Sequence, residues 1–192
     1  MKKLLGLMCL LLMLSGCSRE NKQMQQALDL RTAVLGAESC SFDCRITADY
    51  GDTIHSFSLT CQGDRQGNLT FTVTEPDTIS GISGKISRTG GQLTFDETAL
   101  QFDLLTDDQL SPISAPWIFL KTLREGYLLT AGTQEGNLII TAKDSYEEDA
   151  LLAEITVNTE NLPCRGEIFY RNRKILTLEI GNFRLGKARP QV

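Results

Sequence analysis

The chain has 192 residues, 41% of them hydrophobic, with 19 lysines and arginines against 24 aspartates and glutamates. That length supports one domain with a substantial core, and a formal charge of −5 gives no electrostatic drive toward nucleic acid or anionic headgroups. One histidine, no nucleophile-elbow serine and no phosphate-binding glycine motif leave little for catalysis or nucleotide binding.

The chain opens with Lys2 and Lys3, then an almost unbroken apolar run from Leu4 to Leu14 and the small pair Ser15-Gly16 before Cys17. A basic start, a short apolar segment and a small-residue exit are the layout of a secretory signal. The run falls well short of the ~20 residues that cross a bilayer. Ser15-Gly16-Cys17 resembles the lipobox of bacterial lipoproteins, which implies cleavage before Cys17 and acylation of that cysteine. Residues 1–16 are accordingly read as a lipoprotein signal peptide, 17–23 as a lipidated N-terminus with a short tether, 24–186 as one domain, and 187–192 as a tail. Without Lys2 and Lys3 the remaining 17 basic and 24 acidic side chains give a charge of −7.

From Ser18 to Gly36 the composition suits a helix, with Met24, Ala27, Leu28, Arg31, Val34 and Leu35 recurring at helical spacing. After Cys40 the period becomes two. Phe42, Cys44, Ile46, Ala48 and Tyr50 share one face of a strand, and His55, Phe57, Leu59 and Cys61 share one face of the next. A loop near Asp52-Thr53 sets Ile46 opposite Leu59, Ala48 opposite Phe57 and Cys44 opposite Cys61. A one-residue slip would turn a strand over, so only registers of this parity agree. Further strands are expected around Leu69–Val73, up to Ile86, at Leu93–Phe95, Leu100–Leu105, Tyr127–Ala131, Leu138–Ala142, Leu151–Val157, Glu167–Tyr170 and Ile175–Leu185. Short turns such as Gly90-Gly91 and Asn172-Arg173 join them, which reads as a meander of about eleven strands.

One segment interrupts the meander. Ser114 can cap a helix, Pro116 fits its first turn and Gly126 can end it. Phe119, Leu120 and Leu123 form one face, and Trp117 and Ile118 widen it, so this short helix is either core or the cover of something apolar.

A short helix, a long antiparallel meander and one apolar helix inserted midway together resemble the LolA/LolB lipoprotein superfamily. The stretches that carry the likeness are the helix running into SCSFDCRITADY, the Glu75-Pro76-Asp77 step after the third strand, and the final GEIFYRNRKILTLEIGNFRL hairpin. The resemblance implies a mainly β fold, a curved antiparallel half-barrel covered by helices. With the lipobox it also implies a membrane-anchored member on the extracytoplasmic side, similar to the germination lipoprotein GerS group. Two roles follow as expectations, neither catalytic. In the first, the concave face binds an acyl chain or other apolar ligand lined by Phe57, Leu59, Phe71, Val73, Trp117 and Phe119. In the second, the protein is an envelope scaffold that binds and regulates a cell-wall or spore-cortex enzyme through an exposed patch or strand edge.

Four cysteines remain beyond Cys17. The hairpin register favours a Cys44–Cys61 disulfide, leaving Cys40 with Cys164, and the alternative is four free buried thiols. A four-thiolate zinc site is disfavoured because only Cys40 and Cys44 are closely spaced. No cofactor is expected. His55, on the apolar side of a strand near a turn, reads as a rim or core imidazole. Asp107-Asp108 and Glu147-Glu148-Asp149 read as solvated turns, although paired carboxylates suit acid–base work elsewhere.

Overall fold

The computed structural model describes residues 17–96, 98–103, 105–106, 109–147 and 149–186. The signal segment, the 187–192 tail and Asp107, Asp108 and Glu148 lie outside the described residues.

The N-terminal periodicity becomes helix α1, Cys17–Gly36, whose first turns occupy the stretch read as a tether. Its inner face is Ala27, Leu30 and Val34, all buried, while Leu28 and Leu35 of the expected stripe point to solvent. Period-two alternation then builds β1 (Ser39–Asp49), β2 (Ile54–Asp64), β3 (Leu69–Glu75), β4 (Ser83–Ser87), β5 (Gly90–Phe95) and β6 (Thr98–Phe102). A two-residue pair, β7 (Leu105–Thr106) and β8 (Gln109–Leu110), and a 3-10 turn at Pro112–Ser114 lead into helix α2, Ala115–Glu125. The second half runs β9 (Tyr127–Gln134), β10 (Asn137–Lys143), β11 (Leu152–Val157), β12 (Pro163–Tyr170) and β13 (Arg173–Gly186).

Eleven strands form one open antiparallel sheet in the order β6-β5-β4-β3-β2-β1-β13-β12-β11-β10-β9. Each half is a meander because short turns leave neighbouring strands only each other to pair with. The halves join where β13 lies beside β1, from Ser39 opposite Gly186 to Ala48 opposite Leu176.

The first hairpin corrects the expected register. Ile46 faces Phe57, Ala48 faces His55 and Cys44 faces Leu59, a shift of two residues from the pairing read off the spacing. The turn closes at Tyr50–Thr53, where Tyr50 N donates to Thr53 O. Gly51 takes a φ of +92° there, and its N–H donates to Asp49 Oδ1. A left-handed residue is cheap only as glycine, so the apex sits one residue earlier than expected. Because the shift is even, every side chain keeps its face.

Helix α2 settles the choice between core and cover in favour of core. Trp117, Ile118, Phe119, Leu120 and Leu123 are all buried in the hollow of the sheet, each contributing about 1.5–3 kcal/mol of transfer free energy. The approach is close enough to require glycine on the strand below, since a Cβ on Gly166 would lie 2.8 Å from Phe119 Cδ2.

Polar groups fix the helix in place. Trp117 Nε1 donates to Gly67 O at 2.9 Å and Arg124 Nη1 donates to Asp64 O at 2.7 Å, tying α2 to the β2–β3 turn. Arg31 of α1 donates through Nε to Leu123 O at 2.9 Å and through Nη2 to Thr122 O at 3.4 Å. A guanidinium thereby satisfies the last carbonyls of α2, where the helix dipole favours a cation.

Candidate functional site

Five of the six residues expected to line a ligand cavity are core. Leu59, Phe71, Val73, Trp117 and Phe119 belong to a single buried cluster, none more than 5% exposed, and Phe57 packs against its margin. Phe119 meets Phe42 edge-on with ring centroids 6.4 Å apart, and Phe42 stacks on Phe183 at 5.7 Å. Sequence placed these side chains on the right face. The structure shows that α2 fills the space between them.

The clefts among the described residues open to solvent instead. One, about 550 Å³, lies between α1 and the turns at the far end of β9–β12, lined by polar groups such as Gln23, Gln26, Asp29, Thr133, Asn158 and Asn161. Others lie over the outer face of the sheet, where Ser41, Thr60, Gln62, Thr70 and Thr72 form hydroxyl and amide rows. Leu59 and Phe71 border two of these outer clefts, and Trp117 and Phe119 border none of those described.

Exposed apolar side chains occur at several places, Ile54 on β2 and Leu129 on β9 among them, and the β5–β6 end of the sheet is where the apolar inner face itself opens. Helix α2 packs over β2 and β10–β13 and its Glu125 reaches Arg88 in the β4–β5 turn, whereas the exposed Leu100 of β6 lies beyond its cover. One row of cross-strand partners runs Phe42, Cys61, Phe71, Gly84, Leu93 and Leu100 on the concave face. Burial falls along that row, from complete at Phe42, Cys61 and Phe71, through half-buried Leu93, to 64% exposure at Leu100. Phe95, at the tip of the same hairpin, is 55% exposed. Phe102 escapes this exposure by folding over Gly91, where a Cβ would collide with its ring.

The two edges of the sheet differ in the same sense. Edge strand β9 carries α1 alongside it, with Gln23 Nε2 donating to Thr133 Oγ1 at 3.2 Å, and a bulge displaces its register with β10 between Thr141 and Ala142. Edge strand β6 reads Thr-Ala-Leu-Gln-Phe, with neither a charge nor a proline, and Thr98 through Gln101 are all exposed. Natural edges are ordinarily blunted by lysine, proline, bulges or a covering element. Within β6 none of these devices is present.

Cys40, Cys44, Cys61 and Cys164 are free, so neither expected disulfide is formed. Cys40, Cys44 and Cys61 lie buried on the concave face, and burial raises all three thiols above the ordinary cysteine range. Cys61 sits opposite Phe42, diagonal to both Cys40 and Cys44. Strand β13 separates β1 from β12, so Cys40 and Cys164 do not meet, and Cys164 Sγ instead contacts Thr156 O at 3.5 Å. Thiols held neutral in apolar surroundings act as small hydrophobes. Among the described residues no group of three or more His, Cys, Asp or Glu side chains is placed to hold a metal ion. His55 is exposed beside the β1–β2 turn, opposite Ala48.

The strands of β5 and β6 are expected from sequence, but the exposure of their apolar face is not. Its signal was present: an alternating pair of strands carrying Leu93, Phe95 and Leu100 with no gatekeeping charge inside β6.

No protein-family model and no curated protein matches the chain. Solved structures with similar folds include a LolA superfamily protein from Nitrosomonas europaea, 8% identical, with a TM-score of 0.47 over 85% of this chain and 94% of that one. The lipoprotein LppX of Mycobacterium tuberculosis is 14% identical, with a TM-score of 0.42 over 84% of this chain and 93% of that one. LprF from Mycobacterium bovis is 11% identical, with a TM-score of 0.42 over 91% of this chain and all of the other.

Proposed function

We propose that this protein is a non-catalytic envelope scaffold, anchored through an acyl group on Cys17, that offers the uncovered β5–β6 end of its sheet to a protein partner. The observation that carries this reading is the gradient of burial along one apolar row, which ends in open surface at Leu100 and Phe95. Contiguous exposed apolar side chains on a soluble domain mark an interaction site. A flat patch beside a free strand edge suits a protein better than an acyl chain, which needs an enclosed apolar pocket. The carrier reading is the weaker of the two because Trp117 and Phe119 occupy the hollow that an acyl chain would need.

A photo-reactive amino acid placed at Leu100 of the full-length protein in its own cells distinguishes the two. The scaffold reading expects an adduct of one defined protein, lost when Phe95 is changed to Ser. An adduct with lipid, together with stoichiometric lipid on the purified protein in native mass spectrometry, would restore the carrier reading and sink this one. The anchor is tested separately. Metabolic labelling with a palmitate analogue should mark the protein, and Cys17→Ser should abolish the label. Label retained in that variant would place the lipid elsewhere.

A further inference from the structure

The exposed hairpin also indicates how a partner would be held and what chemistry that partner would bring, an inference resting on the reading of β5–β6 as the docking surface. Strand β6 is the terminal strand of the sheet, and pair Phe95–Thr98 closes the hairpin. In an antiparallel ladder hydrogen-bonded and non-hydrogen-bonded pairs alternate from the closing pair outward. Thr98, Leu100 and Phe102 therefore direct their backbone groups toward β5, and Ala99 and Gln101 direct theirs to solvent. A further strand laid there would meet unpaired N–H and C=O groups on its backbone side. On the concave side it would continue the row that ends Leu93, Leu100, so its residue in that row must be apolar to cover Leu100.

Charge decides which kind of strand fits. Asp96 and Asp103, both exposed, flank β6 at its two ends. Arg88, in the β4–β5 turn, is engaged by both carboxylate oxygens of Glu125. Lys85 lies two strands in, in the outer-face row with Gln92 and Gln101. A second copy of this chain is a poor occupant. In-register parallel pairing would stack Asp96 on Asp96 and Asp103 on Asp103. Like charges directly opposed destabilise a strand pair.

We propose that β6 is a strand-addition edge that accepts an extended segment of a partner protein, apolar at alternate positions and flanked by lysine or arginine. Main-chain hydrogen bonds would supply affinity and the alternate side chains specificity, as in other strand-addition complexes. The acidic flanks select against this chain pairing with itself and for a basic partner.

The test uses the full-length protein in phosphatidylcholine nanodiscs and dye-labelled peptides of alternating valine and threonine, read by fluorescence anisotropy. A peptide with lysine pairs at its ends should bind, and the same peptide with glutamate pairs should bind at least about tenfold more weakly. Raising the salt concentration should narrow that difference. Gln101→Pro removes an outward N–H without touching the ladder to β5, and proline is tolerated on the solvent side of an edge strand. That variant should keep its circular dichroism and lose binding by about tenfold or more. Leu100→Thr, a strand-compatible change that removes the apolar anchor, keeps the test informative if the proline disturbs the fold. Equal binding of both peptides, binding unaffected by either substitution, or concentration-dependent dimerisation through β6 would each overturn the proposal. If the peptide fails to bind while the Leu100 cross-link still captures a protein, strand addition falls and the docking surface stands. If both fail, both readings fall.

Discussion

Replacing Phe119 with alanine separates a filled hollow from a ligand cavity. The ring is about 1% exposed, meets Phe42 edge-on at 6.4 Å and lies over Gly166, where an added Cβ would approach Cδ2 to 2.8 Å. Truncating a ring so enclosed removes its transfer free energy and leaves a void, together about 3–5 kcal/mol. For a domain of this size that corresponds to a fall in Tm of about 10 °C. Gly166→Ala alone should cost about 1–3 kcal/mol, because the methyl group overpacks against the ring. In the Phe119→Ala background the obstruction is gone, so the glycine change should become nearly neutral or even favourable. The double-mutant cycle should therefore show a coupling of about 1 kcal/mol or more. Urea unfolding of the purified protein and its three variants, followed by tryptophan fluorescence and circular dichroism, measures all of these values. A loss below about 1 kcal/mol on Phe119→Ala, or strict additivity with Gly166→Ala, would refute the reading of α2 as a plug in a dry core.

Three further outcomes follow from the same structure. Arg31→Met keeps much of the aliphatic stem but removes the donor to Leu123 O, while Thr122 O keeps the Gly126 N–H, and should cost about 1–2 kcal/mol in the same urea assay; no change would mean that water replaces the guanidinium freely. Glu167 is drawn upward by burial, but hydrogen bonds and charge from Arg165 and Lys174 outweigh this and hold its carboxyl below the ordinary range. A depressed carboxyl stabilises the folded state above its unfolded pKa and loses that contribution as pH falls through the folded value. Glu167→Gln should therefore cost about 0.5–1 kcal/mol at neutral pH, given the exposure of both cations, and the gap should close toward pH ~3; a gap that widens in acid would contradict the assignment. Cys40, Cys44 and Cys61 are buried whereas Cys164 is half-exposed. A maleimide should label Cys164 first, and the other three only as fast as the protein opens. Rapid labelling of Cys61 in the native state would contradict the packed interior.

Strand faces were legible from local chemistry, and turns were legible to within a residue or so. Alternation from Phe42 to Ala48 named the inward side of β1, and burial there follows it residue by residue. The β1–β2 register was legible in parity but not in value, because glycine at position 51 moved the turn apex by one residue and hence the pairing by two. In α1 the periodicity could not tell Ala27, Leu30 and Val34 from Leu28 and Leu35 as the buried stripe. That choice is made by which face meets β9 and α2. Of the six residues singled out as a ligand lining, five are core and Phe57 is partly buried, and nothing in the spacing of the four strand residues could show that the helix carrying Trp117 and Phe119 packs against them.

The sequence by itself determined a mainly β meander, one apolar helix set into it, and which side of each strand turns inward, because those follow from residue periodicity and turn chemistry over a few positions. Tertiary structure alone decided that the hollow is filled and that the inner-face row ending in Leu93 and Leu100 is left open on β5 and β6. Both outcomes depend on β13 pairing with β1 and on α2 settling over the middle of the joined sheet. A helix of this length cannot cover every strand, and local sequence does not record which ones it leaves bare.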